Sequence, residues 1–168
     1  MSLGNSHHWL QMIGKHIPNL TELRLSDCSL SDNDVQLLFH IHSNYSSTTP
    51  LTILDLSYLS NCSLTDTSFL VSSTSIVNSS SSLVSLDLYS NLLTSSNIFH
   101  WIFNFTANLH TLYLGYNLLE GPIPLGFDKA MKSLEYLSLS LITICKERFP
   151  ISLETFAHYN HYTCHITT

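Results

Sequence analysis

The densest run of reactive side chains is His158-Tyr-Asn-His161-Tyr-Thr-Cys164-His165, with four metal-ligating residues in eight positions. Spacings of three and four can bring such ligands to one helix face. A closed zinc site needs further ligands at finger spacing, and Cys145 is a distant partner. No metal is therefore assigned, and the segment reads as a poorly ordered tail. His7-His8 and His40-x-His42 are isolated, and hydration is their default state. Serines are numerous, yet none sits in a Gly-x-Ser-x-Gly elbow that would expose it as a nucleophile. Asp55 and Asp87 would do acid–base work only inside a cleft that shifts their pKa values. Neither a cofactor nor an enzymatic reaction is expected from this set.

The two aspartates share something else, an equivalent place in a repeat. Leu83-Val-Ser-Leu86-Asp-Leu88-Tyr-Ser-Asn91-Leu-Leu93 is echoed by Leu109-His-Thr-Leu112-Tyr-Leu114-Gly-Tyr-Asn117-Leu-Leu119. Leucines fill slots 1, 4, 6 and 11 of each unit, and Asn fills slot 9. The pattern resembles the leucine-rich repeat. Copies start at 20, 51, 83, 109 and 134, with the back half of an incomplete copy at 1–19 carrying Trp9, Leu10, Ile13 and Ile17. Ser/Thr tracts at 43–49, 72–75 and 79–82 stretch the first two copies and read as surface loops, because they supply little apolar area to offset ordering entropy. The repeat domain spans 1–141, and 142–168 is the non-repeat tail.

In Leu-x-x-Leu-x-Leu the last two leucines share one face of a short strand. One such strand cannot form a core, but stacked copies can. The expected fold is an α/β solenoid of about five repeats. A short parallel β-sheet lines its concave face, with loops, 3-10 turns or short helices on the convex face. Ile98, Trp101, Ile102 and Phe105 have helical spacing, as do Val35, Leu38 and Phe39 behind a cap at Asp32 or Asp34. Asn91 and Asn117 should turn inward and bond backbone groups that the bend leaves unpaired. Cys28 and Cys62 take that slot in the first two copies; they read as buried thiols, with a disulfide left open. Gly121, between Glu120 and Pro122, permits a tight turn.

Residues beside the inward leucines point out and form columns, one residue per coil. Slot 5 reads Arg24, Asp55, Asp87, Tyr113, Ser138, and slot 3 ends in Tyr136. Slots 7 and 8 add Tyr89, Tyr58 and Tyr116, so five of the eight tyrosines fall on this face. Tyrosine gives a large contact area at low entropic cost and carries a hydrogen-bonding tip. With Asp55 and Asp87 alongside, the face suits a peptide or protein of some basic character. An ordinary solvated face with scattered tyrosines is the competing reading.

A net charge of −6 with 11% charged residues leaves no basic footprint for nucleic acid. The longest apolar stretch, 139–145, is too short to span a membrane. The first residues lack the basic and apolar regions of a signal peptide. Glycosylation sequons occur at Asn19, Asn44, Asn61, Asn78 and Asn104.

Leu119-Glu-Gly121-Pro122-Ile123-Pro124 directly after the Asn117 turn resembles the plant-specific class of leucine-rich repeat, found in receptor-like proteins and receptor-like kinases. The Trp9-Leu-Gln-Met-Ile-Gly run and the Leu25-Ser-Asp-Cys28-Ser-Leu30 turn are similar to internal repeats of the same proteins, so the resemblance covers about residues 5–141. It implies an extracellular, glycosylated fragment at the plasma membrane that recognises a peptide or protein in defence or development. A co-receptor would come through the parent protein. The chain departs from the family in lacking a signal, a Cys-bearing cap, a membrane span and any kinase signature, and the pattern is lost after Ser140. The alternatives are an intracellular adaptor, as in the substrate-binding repeats of ubiquitin ligases, or a truncated product without function.

Overall fold

A computed structural model of the chain describes residues 6–17, 20–25, 28, 30–44, 52–55, 64–69, 83–103, 108–120, 123–139 and 161–163. Each coil contributes a strand of three residues: β1 Glu22–Arg24, β2 Ile53–Asp55, β3 Ser85–Asp87, β4 Thr111–Tyr113, β5 Tyr136–Ser138 and β6 His161–Thr163. They form one sheet in chain order, parallel throughout. The register aligns Leu23, Leu54, Leu86, Leu112 and Leu137, the fourth slot of every copy. All five are buried, as are Leu25, Leu88, Leu114 and Leu139 from slot 6. Alternation inside so short a strand decides which face is core. The chain therefore folds as the leucine-rich-repeat α/β solenoid that the spacing implies.

β6 was not legible in the sequence. Residues 142–168 read as a tail, yet His161–Thr163 extends the sheet, with Tyr136, Leu137 and Ser138 aligned to His161, Tyr162 and Thr163. Tyr162 stands in register where earlier copies carry leucine. His161 accordingly lies on a strand, not on a helix face shared with His158 and His165. Those two residues and Cys164 fall outside the described residues.

Segments between strands run across the convex side as α1 Ser6–His16, α2 Asp32–Asn44, a 3-10 turn at Asp66–Phe69, α3 Asn97–Ile102 and α4 Phe127–Ala130. α2 starts differently from expectation. Ser31 is its cap: the Asp34 N–H donates to Ser31 Oγ at 3.3 Å, while Asp34 Oδ2 accepts from the Ser31 N–H at 2.9 Å and from the Ser31 hydroxyl at 2.6 Å. This reciprocal box satisfies donors that a helix start leaves unpaired. Asp32 is thereby released for another task. Its carboxylate accepts the Thr65 N–H at 2.9 Å, the Thr65 hydroxyl at 2.6 Å, and the hydroxyls of Thr67 and Ser68 in the next coil. Asp66 repeats the device one coil on. It accepts the Thr94 hydroxyl at 2.5 Å and the N–H groups of Thr94 and Ser95 at 3.1–3.3 Å.

Aromatic rings join the convex segments. Phe69 meets Trp101 edge-on at 4.7 Å between centroids, and Phe99 meets Phe127 at 5.2 Å. Phe99, Phe127 and Ile102 are fully buried, and Ile98 and Trp101 are buried beside them. Phe105, expected on the same face, lies outside the described residues.

The inward asparagines behave as their slot requires. Asn91 donates to the carbonyl of Leu88 at 3.1 Å and accepts the Leu64 N–H of the preceding coil at 3.3 Å. Asn117 donates to Leu88 and Leu114 carbonyls at 2.9 Å each and accepts the Leu93 N–H at 3.2 Å. Each therefore stitches its own bend to the coil before it. Cys28 is half-buried against the core, and a weak thiol donor cannot reproduce the amide's several bonds. Cys62 and Gly121 lie outside the described residues.

Asn117→Ala should lower stability by about 2–3 kcal/mol, because buried backbone groups in two coils lose their partners. Urea unfolding measures this; a loss below about 0.5 kcal/mol, the range of neutral surface changes, would show that the amide does not tie the coils.

Candidate binding surface

On either side of the buried leucine the strands turn residues to the open face of the sheet. Arg24, Asp55, Asp87, Tyr113 and Ser138 are consecutive partners in the register, as the columns require. Ser138 differs from the expected exposure: it is buried. Arg24 is held by its own side of the sheet. Its Nε donates to Glu22, and its Nη1 stands 3.9 Å from Asp55 Oδ2. The glutamate hydrogen bond and charge raise the Arg24 pKa further above its already high value.

Asp87 lies in the middle of the column. Burial pushes its carboxyl up to about 6, and the neighbouring Asp55 charge adds to the rise. The Tyr89 N–H, donating to Asp87 Oδ1 at 2.9 Å, and the Arg24 charge oppose it. These opposing effects leave the carboxyl proton near neutrality, where a cationic group arriving over the face would favour the charged form.

The tyrosines form two ring pairs. Tyr89 and Tyr116 are 4.8 Å apart between centroids at 47°, and Tyr113 and Tyr136 are 5.0 Å apart at the same angle. Tilted contacts at this distance are favourable beyond simple area burial. Burial raises the Tyr89 pKa first, and the hydrogen bond with Tyr116 raises it further. Burial also raises Tyr113, followed by Tyr136 and Asp87. The two pairs occupy β4, β5 and the bends after β3 and β4, beside Asp87. Tyr58 lies outside the described residues.

The bend itself constrains the surface. Ser90 and Tyr116 both occupy slot 8, and both have left-handed backbones, with φ of 58° and 56°. Glycine is the usual occupant of that region, and a bulky residue there is strained. The Tyr116 ring contact with Tyr89 supplies a compensating interaction. Slot 10 faces outward as well. Leu92 and Leu118 follow the buried asparagines and are 46% and 55% exposed, although their slot-11 neighbours Leu93 and Leu119 are fully buried. The signal was present: two leucines in succession cannot both face inward on extended chain.

Among the sequons, Asn44 is the last residue of α2. Asn19, Asn61, Asn78 and Asn104 lie outside the described residues. On the convex side, Asp66, Phe69, Asn97 and Ile98 line a crevice of about 40 Å³, room for a water molecule rather than a substrate. Among the described residues no three His, Cys, Asp or Glu side chains gather as a metal site. No described helix is long and apolar enough to cross a membrane.

A leucine-rich-repeat solenoid is the class of fold that this geometry defines. The Leucine Rich Repeat family model matches residues 19–47 and 108–130. Among solved structures, the tropomodulin C-terminal domain of Caenorhabditis elegans is similar over 93% of this chain and 89% of its own, at TM-score 0.60 and 13% identity. The actin-binding site 2 of leiomodin-1 is similar over 76% of this chain and 75% of its own, at TM-score 0.51 and 15% identity. At these identities the likeness is one of fold. No curated protein matches the chain significantly.

Asp87 makes a pH prediction. Its folded pKa lies above the ordinary 3.8, so the unfolded chain ionises first as pH rises. Stability contributed by the protonated folded form is therefore full below about pH 4 and is lost through about pH 6. Asp87→Asn keeps the acceptor for Tyr89 and removes the charge. It should raise the melting temperature at pH 7 and leave it unchanged near pH 4. An equal shift at both pH values would contradict the burial argument.

Proposed function

We propose that the chain recognises a peptide or protein segment on the concave face, as part of a plant cell-surface receptor-like protein acting in defence or developmental signalling. The observation that carries the binding reading is the pair of tilted tyrosine contacts flanking a half-buried carboxylate on an open parallel sheet. Aromatic rings already packed against each other lose little freedom when a ligand lands on them. The Tyr89, Tyr113, Tyr116 and Tyr136 rings, with Asp55, Asp87 and Arg24, form the proposed contact set. Catalysis is no part of the reading, because an open face does not exclude water from a reacting group.

The cell-surface assignment is supported by Leu119-Glu-Gly121-Pro122-Ile123-Pro124 and by the five sequons. Ile123 of that motif is buried in the core, as a framework residue should be. The parent protein would supply any co-receptor. An intracellular role is the second reading, favoured by the fold likeness to tropomodulin and leiomodin domains, the latter described as an actin-binding site.

Selection of a randomised displayed peptide library on the native chain tests the binding reading. Enriched peptides should lose at least about tenfold in affinity when Tyr89 and Tyr113 are both changed to Ala, while the melt remains cooperative. Undiminished affinity would remove these rings from the site. Glycan on Asn44 or Asn104 of the chain isolated from its source supports the extracellular reading; unmodified sites with saturable co-sedimentation on actin filaments would replace it with the intracellular one.

A further inference from the structure

Two exposed leucines stand beside the tyrosine-rich end of the open face. Leu92 and Leu118 occupy the same slot in successive coils, and the same backbone bond fixes each. The Leu92 N–H donates to the Leu64 carbonyl at 3.0 Å, and the Leu118 N–H donates to the Leu93 carbonyl at 2.9 Å. The inward asparagines immediately before them, Asn91 and Asn117, anchor both bends. Their positions are thus as firmly set as the sheet, yet about half of each side chain meets solvent. Tyr116, itself 49% exposed, joins them from the same bend and rests on Tyr89. A rigid, exposed aliphatic pair next to aromatic rings has the composition of an apolar anchor site rather than of a solvated rim.

Charge on the neighbouring strands selects the rest of the ligand. Asp55 and Asp87 are direct partners in the β2–β3 register. The nearest cation, Arg24, is exposed and divided between Glu22 and Asp55. Glu22, Asp55 and Asp87 thus outnumber the single guanidinium on these strands.

We infer that the second, third and fourth coils form a two-part site for a basic-plus-aliphatic peptide segment of a partner protein, its Lys or Arg on the Asp55–Asp87 pair and its aliphatic side chain over Leu92, Leu118 and Tyr116. This deepens the concave-face reading and rests on it. Asp87 and Leu92 are five residues apart in the chain. A fully extended chain would separate them by about 16 Å at roughly 3.3 Å per residue, and the bend at Ser90 shortens the span. An extended ligand therefore carries its two anchors about three to five residues apart. Arginine suits the first position better than lysine, since its planar group can bond a carboxylate in two places and stack on a tyrosine ring.

The test uses the full chain and labelled Gly/Ser peptides carrying one Arg and one Leu at varied separation. Fluorescence polarisation at pH 7.5 reads affinity, and sedimentation reads oligomeric state. The best Arg/Leu spacing should fall at about three to five residues and exceed the matched Glu/Leu and Arg/Ser peptides by about tenfold each. Asp87→Asn should erase the advantage of Arg over Glu and keep the advantage of Leu over Ser. Leu92→Ser with Leu118→Ser should do the reverse. Both variants leave the core untouched, and their melts confirm folding.

Peptide binding with no preference at either anchor overturns this inference and leaves the concave-face reading standing. No binding by these peptides or by the randomised library overturns both. A dimer that dissociates on Leu92→Ser and Leu118→Ser assigns the leucines to self-association and overturns the peptide site.

Discussion

No coil of this chain can bury its own leucines, since a three-residue strand turns one of them inward, the residue after it adds a second, and the coil has no second layer of its own. Every coil must therefore borrow its neighbour, and the polar backbone at each bend must be satisfied across the same boundary. Asn91 and Asn117 do this on the inner side, each accepting an N–H from the preceding coil. Asp32 and Asp66 do it on the convex side, each binding Ser or Thr groups of the next coil. The apolar core supplies attraction without direction, and the two ladders fix how far one coil turns relative to the next.

That fixed stacking is what places the candidate binding groups. The same register that aligns Leu54 with Leu86 aligns Asp55 with Asp87. The tyrosine pairs likewise bridge adjacent coils, so they exist only when the coils are stacked. The surface carries costs: a half-buried carboxyl held near pH 6 and a tyrosine with a left-handed backbone. Features that oppose stability but are retained on an open face are expected where binding is the task. Removing the Asp87 charge is accordingly expected to favour the fold and impair recognition.

Much of this framework was legible because period-two alternation and the Asn slot are strictly local patterns. Leu86 and Leu88, Asn91 and Asn117 could be placed from spacing alone. The columns followed, including the neighbouring aspartates. Other features depended on partners far along the chain. Asp32 lies beside a helix start and reads as its cap, but Ser31 and Asp34 complete that box and Asp32 turns to the next coil. The Leu-Ser-Asp and Leu-Thr-Asp runs at 30–32 and 64–66 were in phase and could have signalled the shared role. β6 escaped because Tyr162 stands where leucine was sought, and backbone pairing does not depend on leucine. The exposure of Leu92 and Leu118 is masked in the sequence because residue type is the same in slots 10 and 11, and only the alternation of extended chain tells the outward leucine from the inward one.

Native-state hydrogen exchange at single amides tests the shared-boundary account most directly. The Leu64 and Leu93 N–H groups donate to asparagine side chains, whereas Leu88 and Leu114 N–H groups donate across the sheet to the carbonyls of Tyr113 and Ser138. If the asparagines join coils into one cooperative unit, all four amides exchange only through the same global opening, with equal opening free energies. Leu64 and Leu93 exchanging through a separate local opening, much faster than Leu88 and Leu114, would contradict it and leave the sheet alone as what holds the coils in register.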